Sequence, residues 1–90
     1  MDSEALKVYI RQHSHLFWDI REGAKENLSL SAVVETILKY GHISDIRELF
    51  EIASMKRISE IFNRQIGGRR VNYHPRTVHF FRQYFERHAS

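Results

Sequence analysis

The chain has 90 residues, no cysteine and a formal net charge of +3 at pH 7, with 42% hydrophobic and 28% charged residues. That is the composition of one small globular domain spanning residues 1–90, and it excludes a disordered or fibrous chain, disulfide staples and thiolate zinc sites. No apolar run exceeds three residues, Leu16-Phe17-Trp18 being one, so neither a membrane-spanning helix nor the apolar centre of a signal peptide is expected, and a cytoplasmic location is.

Apolar residues recur at helical spacing along most of the chain and almost nowhere alternate as in a strand, which predicts an all-α bundle of about five short helices without significant sheet. Leu6, Tyr9, Ile10 and His13 share one face of a first helix that Asp2 or Ser3 can cap, with Glu4 in the first turn where the helix dipole favours a negative charge. Leu16, Phe17 and Trp18 cannot all occupy one helical face. They predict a tight turn that presses several of them into the core, capped by Asp19 and followed by a polar loop through Asn27. Leu30, Val33, Val34, Ile37 and Leu38 mark a second helix from about Ser29 to Tyr40, which Gly41 is expected to end in the left-handed conformation.

A third helix is expected to start at Ser44 or Asp45, with Ile46, Leu49, Phe50 and Ala53 inward, and with Asp45 and Glu48 spaced as a capping box. Continuing its stripe would place Arg57, Glu60 and Arg64 in the core. The apolar side instead shifts to Met55, Ile58, Ile61, Phe62 and Ile66, so a turn near Ser54 to Lys56 divides two helices, or one helix bends there. Gly67-Gly68 ends the fourth helix. His74-Pro75 opens the last, because proline suits the first helical position and breaks an interior one.

Charge is distributed unevenly along the chain. Residues 1–63 carry 8 Lys and Arg against 10 Asp and Glu, whereas residues 64–90 carry six arginines against Glu86 alone, so +5 at the C-terminal end sits on a body of −2. Such an end suggests docking to an acidic protein or a phosphate backbone. The last helix bears two aromatic stripes, Phe80 with Tyr84 and Phe81 with Phe85. Small cores need bulk, so both stripes can be inside. The alternative is that one stripe, flanked by Arg76, Arg82 and Arg87, is the centre of a partner interface, with Tyr84 its expected exposed member.

Gly67-Gly68-Arg69-Arg70 lacks the spaced glycines and the Lys-Ser or Lys-Thr pair of a P-loop. It is either a flexible connector with solvated arginines or a contact for nucleic acid or an acidic protein groove. Helices three and four could also form a helix-turn-helix presenting Lys56, Arg57, Ser59, Asn63 and Arg64, with Arg69 and Arg70 close behind. Glu60 near the same face and the absence of a turn glycine favour a plain antiparallel pair, and Gly67 to Tyr73 is barely long enough for a wing. His13 and His15 point to different helical faces, and His74 and His79 are five apart across a proline, with no cysteine or nearby carboxylate to complete a set. No metal, cofactor or catalytic constellation is therefore expected, and the chain reads as a non-enzyme.

Three stretches occur in a familiar order. They are Leu16-Phe17-Trp18-Asp19, the run from Val34 to Gly41 followed by His42 to Leu49, and Pro75 to Phe81. Together they resemble a family of small bacterial all-helical domains with an L-F-W-D start, a helix ending in Tyr-Gly and a P-x-T-x-x-F-W-like last helix. The likeness covers about residues 15–85. Phe81 stands where that family often has tryptophan, and the connector from Ile66 to Tyr73 is longer and more basic. Many such domains are encoded beside nucleotidyltransferase-like toxins of the abortive-infection type. The resemblance thus implies an antitoxin that binds a nearby toxin, and the candidate contacts on this chain are Arg69, Arg70, Arg76, Arg82, Tyr84 and Arg87. The other reading is a DNA- or RNA-binding regulator using Lys56, Arg57, Asn63, Arg64, Arg69 and Arg70.

Overall fold

A computed structural model describes residues 3–18, 20 and 28–88. Five α-helices and one 3-10 turn make up its regular structure, and no strand occurs among the described residues. Helix α1 is Ser3–Gln12, the 3-10 turn Ser14–Leu16, α2 Leu30–Tyr40, α3 Ile43–Ala53, α4 Met55–Ile66 and α5 Pro75–His88. Asp2, Asp19 and the loop to Asn27, which bear on the capping of α1 and of the turn, lie outside the described residues.

Local chemistry accounts for most of the boundaries. Ser29 caps α2, its side chain accepting from the Ala32 N–H at 3.2 Å. Ser54 is at once the last cap of α3 and the first of α4, accepting from the Arg57 N–H at 3.2 Å. Its φ of 63°, with ψ 145°, is the only positive value at a non-glycine among the described residues, a sparsely populated conformation that costs about 1–3 kcal/mol. The break between the two helices thus falls at a single residue, inside the Ser54–Lys56 window that the shifted stripe indicates. No wing forms between Gly67 and Tyr73, since that segment contains no strand.

Two boundaries differ from the sequence expectation. Helix α3 begins at Ile43, earlier than Ser44 or Asp45, because the Asp45 carboxylate (Oδ2) accepts the His42 N–H at 2.8 Å and closes the first turn from its third position. Glu48 therefore has no capping role. Gly41 ends α2 with φ −77° and ψ 159°, an extended and not a left-handed residue. Glycine is required there for a different reason: a Cβ would lie 2.7 Å from the Ile37 carbonyl oxygen and 3.3 Å from the Asp45 Cβ, so the two-residue link between α2 and α3 closes only without one.

The buried side chains form one continuous cluster. Helix α2 contributes Leu30, Val33, Val34, Ile37 and Leu38, and α4 contributes Ile58, Ile61 and Phe62. Helix α4 is the hub, packed against α2, α3 and α5, while α1 rests on α3 and the 3-10 turn on α2. Of the crowded triplet, Leu16 and Phe17 are buried, but Trp18 is 68% exposed and leans on the Tyr40 ring at 5.9 Å. The turn can bury only the two side chains that face α2, and the third is left outside.

Candidate functional site

Helix α5 has three kinds of surface. Phe81 and Phe85 are buried, their rings 6.0 and 5.5 Å from that of Phe62 on α4. Phe80 is 51% exposed. Tyr84 is half-buried, stacked between Phe80 and the Phe50 ring of α3 at 6.0 Å on each side. One of the two aromatic stripes is thus in the core and the other climbs out of it. The exposed member is Phe80 and not Tyr84, because Tyr84 is turned toward α3, where Phe50 covers it.

At about 100° per residue, Arg76, Phe80, Gln83 and Arg87 fall within about 60° of arc on the solvent side of α5. All four are exposed. Arg82 lies about 120° from Arg76 on the other flank, and Glu86 is on Arg82's side. The arginines singled out in the sequence therefore do not form one surface: Arg76 and Arg87 frame Phe80, while Arg82 borders a groove on the opposite side. Arg69 and Arg70 are exposed on the connector. Among the described residues none of these five guanidinium groups pairs with a carboxylate.

The connector itself is anchored at several points. Tyr73 is buried, packs its ring 5.3 Å from Phe62 and donates its hydroxyl to the Gln65 side-chain oxygen. Gln65 in turn donates from Nε2 to the Ser31 carbonyl and hydroxyl oxygens, both at 2.9 Å, and Asn72 donates to the Glu35 carboxylate at 2.9 Å. Two of its residues thus reach back to α4 and α2, which a flexible tether would not do. His74 caps α5, its Nδ1 accepting the Arg76 N–H at 3.1 Å.

The nucleic-acid set is also exposed. Lys56, Arg57, Asn63 and Arg64 all face solvent on α4. Helical geometry places Arg57 and Arg64 on one flank and Lys56 and Asn63 on the other, with exposed Glu60 between them. The single-residue joint at Ser54 is shorter than the turn of about three to four residues in a helix-turn-helix.

A polar cluster that no sequence motif announces joins α1 to α3. His13 is buried, with Nδ1 2.8 Å from the Tyr9 carbonyl oxygen and Nε2 3.2 Å from both Asp45 Oδ1 and Glu48 Oε2. The Tyr9 hydroxyl donates to the Asp45 carbonyl at 2.6 Å, and its ring stacks on His13 at 4.1 Å. All three polar neighbours of the imidazole are acceptor oxygens. The carboxylates absent from the neighbourhood of His13 in sequence are supplied by the packing of α3. Among the described residues no group of three His, Cys, Asp or Glu side chains could hold a metal ion.

Burial raises the phenol pKa of both Tyr9 and Tyr73 well above the usual tyrosine range; the Asp45 and Glu48 carboxylates add to the effect on Tyr9, and Glu35 to that on Tyr73. The folded state holds these two protons more tightly than the unfolded chain, so their contribution is complete below about pH 10 and is lost as pH rises beyond it. Unfolding free energy from urea titrations is expected to fall above pH 10 by up to about 2.7 kcal/mol per pH unit, and by about half that in Tyr73→Phe. An unchanged alkaline slope in Tyr73→Phe would show that its hydroxyl ionises freely.

Among the described residues no helix is long and apolar enough to cross a membrane. Comparison with protein-family profiles, with curated protein sequences and with solved structures gives no match.

Proposed function

We propose that the chain is a non-enzymatic, protein-binding module of the antitoxin type, which neutralises a toxin through the outer face of α5. The observation that carries this reading is the stripe of Arg76, Phe80, Gln83 and Arg87, an exposed aromatic ring framed by two guanidinium groups that are unpaired among the described residues. Aromatic rings and arginines are the residue types that dominate binding hot spots. An active site of the nucleotidyltransferase kind is lined with metal-binding carboxylates. Arginines presented on a rigid helix can pair with those carboxylates in place of the metal ions and so block the nucleotide, with Phe80 as the apolar anchor.

The test is neutralisation of a co-produced candidate toxin together with measurement of complex affinity. Alanine at Arg76, Phe80 and Arg87 is expected to weaken binding by at least about thirty-fold, the effect of losing one hot-spot contact. Alanine at Arg69, Arg70 and Arg82 should cost less, because these lie off the stripe. Unchanged neutralisation and affinity in the first triple variant would refute the interface. Binding to duplex DNA or RNA that weakens steeply with salt and depends on Lys56, Arg57, Asn63 and Arg64 would favour a regulator instead.

A further inference from the structure

The far flank of α5 carries a groove of about 770 Å³ between the connector and the helix. Ile66, Val71, Tyr73 and Val78 give it apolar walls, and Arg82 is at its edge. Its size is in the range of clefts that take a drug-sized ligand or a short peptide segment. The groove is preformed, since the connector that makes one wall is tied to α4 through the Tyr73 hydroxyl and to α2 through the 2.9 Å bond from Asn72 to Glu35. Val71 nevertheless leaves 40% of its surface in water, where an aliphatic side chain gains nothing.

Charge narrows the choice of occupant. Arg82 has no carboxylate partner among the described residues, nor do Arg69 and Arg70, which immediately precede Val71, and Glu86 is the only acid in the lining. The surroundings are therefore net positive. Single-stranded nucleic acid would need open aromatic faces on which to stack bases. Of the two aromatic rings in the lining, Tyr73 is 5% exposed and packed against Phe62, which leaves the His79 imidazole as the single open ring and no run of faces for successive bases.

We infer that this groove receives a short segment of a protein partner in which an aliphatic side chain is flanked by carboxylates. The aliphatic group seats on Val71 and Val78, and a neighbouring carboxylate pairs with Arg82. The inference rests on the reading of the chain as a protein-binding module and adds a second contact, which adjoins the Phe80 stripe at Gln83, a residue of both.

A random dodecapeptide display library panned on the immobilised full chain tests it. The expected winners carry Leu, Ile or Val beside Asp or Glu. A synthetic winner should bind Val71→Glu and Arg82→Glu at least about ten-fold more weakly, and Phe80→Ala as well as it binds the parent. Both groove residues are exposed, and far-UV circular dichroism checks that the variants fold. No enrichment, basic winners, or winners indifferent to Val71→Glu and Arg82→Glu would overturn the groove. Winners lost on Phe80→Ala alone would also overturn it, while leaving the outer stripe as the protein-binding face. Intact groove binding in a chain that neutralises no toxin would instead count against the antitoxin reading and not against the groove.

Discussion

Replacing Phe62 by alanine is expected to destabilise the fold by about 3–5 kcal/mol. Phe62 has no exposed surface, and its ring meets Tyr73 at 5.3 Å, Phe85 at 5.5 Å and Phe81 at 6.0 Å. One side chain thus joins α4, the connector and α5, and its removal leaves a cavity that three aromatic neighbours are too rigid to fill. A chain of this size has only about 5–13 kcal/mol of stability. The melting midpoint, followed by far-UV circular dichroism, should fall by about 15–30 °C. Phe80→Ala, on the exposed side of α5, should change stability by less than about 0.5 kcal/mol. Equal effects of the two substitutions would mean that α5 is packed on a different face.

Replacing His13 by alanine is expected to cost about 2–4 kcal/mol, because it removes a buried ring and leaves the Asp45 carboxylate and the Tyr9 carbonyl without the ring nitrogens that face them. Asp45 is mostly covered, whereas Glu48 is 54% exposed at its side chain and can be rehydrated. Glu48→Gln should therefore cost no more than about 1 kcal/mol. The comparison is made by urea denaturation at neutral pH. If His13→Ala were no more disruptive than Glu48→Gln, the cluster would not be what holds α1 on α3. Because the cluster lies on α1 and α3, away from the α5 stripe and the groove, His13→Ala serves as a stability control in binding experiments.

These two residues also separate what could be read from the chain and what could not. Phe62 belongs to the stripe of Ile58, Ile61 and Ile66, so its inward position follows from spacing along one helix. His13 continues the apolar face of α1 just past its end and is buried as that face requires, but its contacts with carboxylates depend on α3, whose Asp45 and Glu48 are 32 and 35 residues away in sequence. Only after α1 packs on α3 does the pair of carboxylates become its environment.

The same division runs through the candidate interface. The number of helices, most of their limits, the Ser54–Lys56 window for the break, the proline start of α5 and the concentration of arginine at the C-terminal end are local or additive properties, and the sequence alone determined them. Exposure is neither. Phe80 and Phe81 are adjacent and chemically identical, and tertiary packing put one in water and the other against Phe62. The split of Arg76 and Arg87 from Arg82, the cover that Phe50 gives Tyr84 and the pinning of the connector by Tyr73 likewise appeared only in the folded chain. The physical reason is that a helical repeat specifies which residues share a face, while the neighbouring helices decide how much of that face water still reaches.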